Sequence, residues 1–115
     1  MSRTILAIDQ STSATKAILF DTAGNLLDKT NRQHTQHYPQ PGWVEHDADE
    51  IYANVLAVIR DLLDKHPDKR DDLLCLSITN QRETFVVFER GTGKPLHHAI
   101  VWQCRRGEPI CQRMR

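Results

Sequence analysis

The feature that most limits how this chain can fold is a polar turn between two short apolar runs near the N-terminus. Residues 5–8 and 17–20 are apolar, and runs of this length bounded by polar residues predict two largely buried strands. The segment between them, residues 9–16, reads Asp-Gln-Ser-Thr-Ser-Ala-Thr-Lys. A hairpin that buries both strands therefore presents a carboxylate, several hydroxyls and an ammonium group at its turn.

This turn carries the donor groups that a phosphate requires. Its backbone N–H groups, the hydroxyls of Ser11, Thr12 and Ser13 and the Lys16 ammonium all donate hydrogen bonds. The Asp9 carboxylate repels phosphate unless a cation lies between them, and Mg²⁺ is commonly held by one or two carboxylates together with phosphates. The local residues predict either a magnesium–phosphate site or an ordinary polar hairpin turn, and they leave both interpretations open.

The residues that follow predict a layered α/β fold. A third strand at residues 25–32, after a turn at Gly24, completes an antiparallel meander. An irregular loop with two prolines covers residues 33–46, and its Trp43 is expected to pin the loop to the core, with a ligand contact as the alternative.

A helix is predicted next, because Asp47 suits an N-cap and Glu50 completes a capping box. Apolar residues recur at helical spacing along one face as far as Leu63, and Pro67 ends the helix. Residues 73–79 begin with an apolar run on successive positions, which is typical of a parallel strand covered on both faces. A strand–helix–strand unit after a meander indicates an α/β fold.

The last third of the chain predicts a hairpin and a short helix. Residues 85–89 and 96–101 read as strands joined by a turn at 90–95, which lacks the glycine spacing and the following helix of a phosphate loop. Pro109 suits the first turn of a helix whose apolar face finds no partner. We therefore expect residues 1–115 to be the start of a longer protein.

A second polar group lies after the fourth strand. Arg82 and Glu83 provide a donor and an acceptor suited to a polyhydroxylated ligand, and Trp102 offers an indole face to its carbon chain. Ligands of open α/β sheets gather at the carboxyl ends of parallel strands. The alternative is that Arg82 and Glu83 form a surface ion pair of little energetic consequence.

Composition excludes several other classes. Lysine and arginine total 15, as do aspartate and glutamate, which argues against a nucleic-acid-binding or anionic-membrane-binding protein. No apolar run approaches the roughly 20 residues needed to span a bilayer, and no signal peptide precedes the first strand. Three cysteines without framework spacing predict a cytoplasmic protein, and the six histidines lack the spacing of a zinc site.

Five segments together resemble the FGGY carbohydrate kinases, and within that family the glycerol kinases. They are Asp9-Gln10 with Thr12 and Lys16, Tyr38-Pro39 with residues 41–47 (Pro-Gly-Trp-Val-Glu-His-Asp), residues 78–84 (Ile-Thr-Asn-Gln-Arg-Glu-Thr), residues 92–95 (Thr-Gly-Lys-Pro) and residues 99–106 (Ala-Ile-Val-Trp-Gln-Cys-Arg-Arg). Each is weak alone, but all five in this order are specific, and the resemblance covers the whole chain.

The resemblance implies an actin-like, ribonuclease-H-like fold of two large domains, of which residues 1–115 would be an incomplete part of the first. It implies transfer of the γ-phosphoryl group of ATP to a small polyol, most simply glycerol. Asp9 would hold Mg²⁺, and Ser11, Thr12, Ser13 and Lys16 would meet the ATP phosphates. Arg82, Glu83 and Trp102 would bind the polyol. The general base is expected beyond residue 115, so this chain alone is expected to be inactive.

Two departures and two rival classes remain. Ser11 stands where the family has glycine, which matters if the position needs positive φ, and Lys16 stands where many glycerol kinases have arginine. Another polyol or sugar is therefore an alternative substrate. A non-catalytic actin-like nucleotide-binding protein and a stand-alone interaction module are the rival classes. Whichever class is right, we expect the exposed faces of the protein to form a homo-oligomer interface.

Overall fold

The computed structural model describes residues 3–115, which form two compact units. The first unit comprises the residues up to His34 together with Ile51–Gln81, and the second comprises Thr35–Glu50 together with Arg82–Arg115. In chain order the elements are β1 (Thr4–Gln10), β2 (Ala14–Asp21), β3 (Leu26–Gln33), β4 (Glu45–His46), α1 (Ala48–Lys65), a 3₁₀ turn (Pro67–Asp72), β5 (Leu73–Asn80), β6 (Ala99–Ile100) and α2 (Glu108–Met114).

The first unit is built on a four-stranded sheet in the order β3-β2-β1-β5. The predicted meander is confirmed, since β1 pairs antiparallel with β2 and β2 pairs antiparallel with β3. The predicted parallel strand is confirmed as well, because β5 pairs parallel with β1. The turn between β2 and β3 contains Gly24 at φ 89°, a left-handed conformation that favours glycine.

The core of this unit lies on one face of the sheet. Alternation along β1 and β2 turns Leu6, Ile8, Ala17 and Leu19 to the same side, where they pack against Val58 and Leu62 of α1. All six are nearly or fully inaccessible to solvent. Asp9 and Lys16, at the alternate positions of the two strands, point to the opposite face, which α1 does not cover.

Helix α1 begins as the sequence predicts, but only one half of its capping box forms, in which the Glu50 backbone N–H donates to the Asp47 carboxylate at 3.4 Å. The Asp47 carboxylate accepts a hydrogen bond of 2.9 Å from the backbone N–H of Asp49. The Glu50 carboxylate turns away from the cap and accepts from the backbone N–H and the hydroxyl of Thr35, at 2.7 and 2.8 Å. Glu50 therefore fixes the start of the loop that precedes β4.

The expectation that β5 is covered on both faces is wrong for the part of the chain that the structure describes. Leu74, Leu76 and Ile78 are 52%, 49% and 61% exposed. The reason is positional: β5 lies at the edge of the sheet, and of its residues only Leu73 packs against the core cluster. An apolar run shows that a strand suits burial, but it does not supply the element that buries it.

The second unit contains less regular structure than its sequence predicts. β4 pairs antiparallel with β6, but the strands expected at 85–89 and 96–101 reduce to β6 and to isolated bridges, Phe85 with Ile100 and Phe88 with Pro95. The turn between them is confirmed, with Gly93 at φ 74° donating to the Glu89 carbonyl at 2.7 Å. Pro95 is accommodated because its bridge to Phe88 is formed by the flanking bonds, from the Glu89 N–H to Lys94 at 2.8 Å and from the Leu96 N–H to Val87 at 2.9 Å, and needs no N–H from Pro95.

The short C-terminal helix is confirmed as α2, and Pro109 lies in its first turn. Within residues 3–115, neither helix is long and apolar enough to cross a membrane.

Candidate functional site

The polar turn between β1 and β2 is closed by Ser11, the first residue after β1. The backbone N–H and the hydroxyl of Ser11 both donate to the Ala14 carbonyl, at 2.9 and 2.8 Å. Glu83 is the one non-glycine residue with positive φ among residues 3–115, so Ser11 has an ordinary backbone conformation. The strain expected from serine in place of glycine is therefore absent, and the Ser11 hydroxyl stabilises the turn.

Asp9 and Lys16 lie directly opposite each other in the β1–β2 register, with Thr79 of β5 on the other side of Asp9. Residues paired in register project to the same face, so the carboxylate and the ammonium group share one side of the sheet. The ion pairs within residues 3–115 involve neither of them. Both charges therefore remain available to a ligand at the end of the hairpin.

Beneath the turn, on the buried face, lies a polar cluster that sequence reasoning did not identify. His34, 6% exposed, has its ring Nε2 3.2 Å from Gln10 Nε2 and 3.1 Å from Thr15 Oγ1. Its Nδ1 lies 3.2 Å from Asn54 Nδ2 of α1. A usable signal existed: strand alternation sends the polar residues Gln10 and Thr15 inward, and buried polar groups need partners.

The residues predicted to bind a polyol belong to the second unit. Arg82 and Glu83 are exposed and take no part in the ion pairs of residues 3–115, so the alternative of a mutual surface pair is wrong. Glu83 has φ 67°, a left-handed backbone that an L side chain rarely adopts. Such strained residues concentrate at ligand-binding and catalytic positions.

Glu83 and Trp102 line one cavity of about 360 Å³ together with apolar neighbours that include Phe85 and Ile100. Trp102 is 51% exposed, and its backbone N–H donates to Thr84 Oγ1 at 3.1 Å. Arg82 is not among the residues that line this cavity. The structure thus brings two of the three predicted polyol residues to one concave surface with an acceptor and an aromatic face.

A charged group adjoins this cavity, and its Arg106 is one of the residues that line it. The buried Glu45 carboxylate accepts from Arg106 Nη2 at 2.6 Å and lies 3.2 Å from His98 Nδ1. The Arg106 guanidinium also lies 3.9 Å from the centroid of the half-buried Trp43 ring. Trp43 is therefore half-buried against a side chain from outside its loop, and its role in pinning the loop to the core stays a prediction.

The same arginine determines two pKa values. The hydrogen bond from Arg106, against the opposing effect of burial, lowers the pKa of Glu45 below its usual value. Burial alone would raise the pKa of the Cys104 thiol, but the backbone and side-chain hydrogen bonds of Arg106 outweigh it and the pKa is lowered. The Arg106 Nε donates to Cys104 Sγ at 3.0 Å.

A magnesium ion fits the donor set at the polar turn only with help from a ligand. Among residues 3–115 no three histidine, cysteine, aspartate or glutamate side chains are arranged to hold a metal. Asp9 supplies one carboxylate, on the sheet face opposite α1 and next to the polar turn. One carboxylate with phosphate oxygens and water is a usual Mg²⁺ environment.

Comparison with known proteins defines first a class and then a family. The fold matches that of a crystal structure of Plasmodium falciparum glycerol kinase with ADP, with a TM-score of 0.91 and 39% identity over 98% of this chain and 23% of that one. The fold class is therefore the ribonuclease-H-like α/β fold to which that kinase belongs. The FGGY family of carbohydrate kinases, N-terminal domain, matches residues 4–115. This chain belongs to the FGGY family of carbohydrate kinases.

Two curated relatives are similar over nearly the whole chain. Glycerol kinase of Rhodopirellula baltica is 50% identical over 113 residues, covering 98% of this chain and 21% of the relative. Glycerol kinase 1 of Thermotoga maritima is 47% identical over 111 residues, covering 96% of this chain and 23% of the relative. The chain thus spans less than a quarter of the length of these relatives.

Proposed function

We propose that the protein carrying this chain transfers the γ-phosphoryl group of ATP to a hydroxyl of glycerol, giving glycerol 3-phosphate. The observation that carries the proposal is the pair of Asp9 and Lys16, opposite in register, without a salt bridge and beside a turn of hydroxyls. The similarity to proteins named glycerol kinases supports glycerol as the acceptor.

In this proposal the polar turn binds the nucleotide phosphates. Lys16 neutralises phosphate charge, and the hydroxyls and backbone N–H groups of Thr12 and Ser13 orient the phosphate oxygens. Ser11, which the sequence placed among the phosphate ligands, instead holds the turn, because its N–H and its hydroxyl both donate to the Ala14 carbonyl. Asp9 would hold Mg²⁺, which when bound neutralises charge on the phosphates. Phosphoryl transfer depends mainly on such positioning and charge stabilisation.

Glu83, Arg82 and Trp102 bind the acceptor. The Glu83 carboxylate accepts hydrogen bonds from two hydroxyls, Arg82 donates to an oxygen, and the Trp102 indole covers the carbon chain. Because Glu83 is already engaged as an acceptor, it is a poor general base. We place the base outside residues 1–115 and propose that this chain is the N-terminal part of the first of two domains, without turnover by itself.

The remaining attributes follow the same proposal. We place the enzyme in the cytoplasm as a homo-oligomer, with ATP and Mg²⁺ as its requirements and a small polyol or sugar as its partner. A different polyol or sugar as acceptor is the second candidate, favoured by Lys16 in place of the arginine of many glycerol kinases.

The test is steady-state kinetics of the full-length protein with MgATP and a panel that includes glycerol, other polyols and sugars. Glu83→Gln should raise the KM for the acceptor about 10- to 100-fold, the loss expected for a charge-assisted hydrogen bond, while the KM for ATP changes little. Lys16→Met should raise the KM for ATP and leave the KM for the acceptor nearly unchanged. Glu89→Gln, an exposed glutamate at the hairpin turn, is the matched control and should leave both KM values unchanged.

Three results decide between the candidates. Highest kcat/KM with glycerol supports the proposal, and a higher value with another polyol selects the second candidate. Nucleotide binding without phosphorylation of any acceptor on the panel contradicts both and favours a non-catalytic actin-like protein.

A further inference from the structure

His34 is a buried histidine that contacts both ends of the polar turn. Gln10 is the last residue of β1 and Thr15 is the second residue of β2, and the imidazole lies within 3.2 Å of both side chains. The backbone N–H of His34 also donates to the Ser13 carbonyl at 2.9 Å. His34, the residue after β3, therefore contacts Gln10 and Thr15 on the two sides of the turn and Ser13 in its middle.

The cluster is anchored on the helix side as well. Asn54 of α1 places its Nδ2 3.2 Å from His34 Nδ1 and donates to the Gln33 carbonyl at 3.3 Å. Gln10 Nε2 donates to the Ser11 carbonyl at 2.9 Å. The imidazole thus links the helix to the turn through polar contacts, whereas the rest of the core between α1 and the sheet is apolar.

We propose that His34 is a positioning residue for the nucleotide phosphates. The inference rests on the proposed phosphoryl transfer and deepens it. Gln10 and Thr15 are the sequence neighbours of Asp9 and Lys16, and Ser11, Thr12 and Ser13 lie between them. By holding Gln10, Thr15 and Ser13 together, His34 sets the spacing between the Asp9 carboxylate, which would hold Mg²⁺, and the hydroxyls and ammonium group that meet the phosphates.

A positioning role and a purely structural role predict different kinetics. Loss of a buried hydrogen-bonding group destabilises the fold whatever its role, since the remaining polar partners lose their interactions. A structural residue lowers the amount of folded enzyme and leaves both KM values intact. A positioning residue at this turn raises the KM for ATP and leaves the KM for the acceptor unchanged.

The experiment uses the full-length protein and three variants. His34→Phe keeps the ring shape and removes the polar contacts, and it should raise the KM for MgATP about tenfold with little change in the acceptor KM. His34→Gln, whose amide can reach Gln10 and Thr15, should recover most of the wild-type value. Asn54→Ala removes the contact with His34 Nδ1 and the hydrogen bond to the Gln33 carbonyl, and it should raise the KM for MgATP about threefold.

His66→Phe is the matched control. His66 pairs with Asp28 at 2.8 Å, at the end of β2 and β3 away from the turn. This variant should reduce stability without changing the KM for MgATP. Calorimetric binding of MgATP without acceptor repeats the comparison in the absence of turnover, so the inference is testable even if the protein phosphorylates none of the acceptors.

Unchanged nucleotide affinity in both His34→Phe and Asn54→Ala would overturn the inference. Equal effects on the two substrates, or the same effect in His66→Phe, would also overturn it. If His34→Phe does not fold, the result with Asn54→Ala decides. If the wild-type protein phosphorylates an acceptor and the variants bind the nucleotide as tightly as wild type does, only the role of His34 is refuted. The proposed function then still stands.

Discussion

Replacing Arg106 with methionine should release the segment that carries Trp102. Methionine keeps an apolar stem against Trp43 but removes the charge that Glu45 accepts at 2.6 Å. The Glu45 side chain is 6% exposed and the Arg106 side chain 20%, so the pair is largely shielded from water. Breaking a buried pair costs about 3–5 kcal/mol, and a hydrogen bond to a charged group contributes about 1.5–3 kcal/mol.

The expected loss lies at the lower end of these ranges. His98 remains 3.2 Å from the Glu45 carboxylate, and part of Arg106 is hydrated. We expect about 2 kcal/mol of local destabilisation, which corresponds to about 30-fold more frequent local opening. Amide hydrogen exchange of the full-length protein measures this directly, because the Val101 N–H donates to Val44 and the Arg105 N–H donates to Gly42.

The pH dependence gives the sharper test. The pKa of folded Glu45 is lowered chiefly by Arg106, so its ionisation stabilises the fold above the unfolded value of about 4.3 and the effect is lost as pH falls through the lower, folded value. Wild type and Arg106→Met should therefore differ most at neutral pH and converge in acid. Arg105→Met is the control, because Arg105 is exposed and takes no part in the ion pairs of residues 3–115. Equal protection factors in wild type and Arg106→Met at pH 7 would refute the reasoning.

Three further predictions concern local geometry. Glu83→Gly should be about 1–2 kcal/mol more stable than Glu83→Ala by thermal unfolding, because only glycine relieves the left-handed backbone at φ 67°, and both should lose acceptor affinity. Ser11→Gly should lower stability by about 1 kcal/mol and give no gain in ATP affinity, since it removes the hydrogen bond from the Ser11 hydroxyl to the Ala14 carbonyl; a lower KM for ATP would contradict this. In Arg106→Met the pKa of Cys104 should rise, so alkylation by iodoacetamide at pH 7 should slow once the other two cysteines are serine; an unchanged pH–rate profile would count against Arg106 as the cause.

The elements that sequence predicted correctly are those determined by neighbouring residues. Alternation in β1 and β2 sets which side chains face α1, Gly24 allows the turn to β3, and Asp47 caps the helix. Each of these features depends on residues a few positions apart, so it can be found without knowing what packs where.

The errors concern groups whose partners lie far away in the chain. Glu50 matches a capping box locally, but it bonds to Thr35, and the apolar run of β5 implies a cover that the described residues do not provide. Each candidate site has a neighbouring polar cluster that joins distant parts of the chain. One links Gln10 with His34, 24 residues apart, and the other links Glu45 with Arg106, 61 residues apart. Local spacing predicts the groups that meet a ligand, but it does not predict the distant side chains that hold them in place.

Glu83 shows how such distant contacts shape a ligand group. A left-handed backbone costs about 1–2 kcal/mol, so it persists only where neighbouring interactions determine it. Phe85 and Ile100 exchange two backbone hydrogen bonds, at 3.2 and 2.9 Å, and the Trp102 N–H donates to Thr84 Oγ1. These contacts fix the residues just after Glu83 against the segment that carries Trp102. One set of hydrogen bonds therefore holds both the Glu83 carboxylate and the Trp102 indole at the same cavity. The same bonds offset the strain of the left-handed backbone at Glu83.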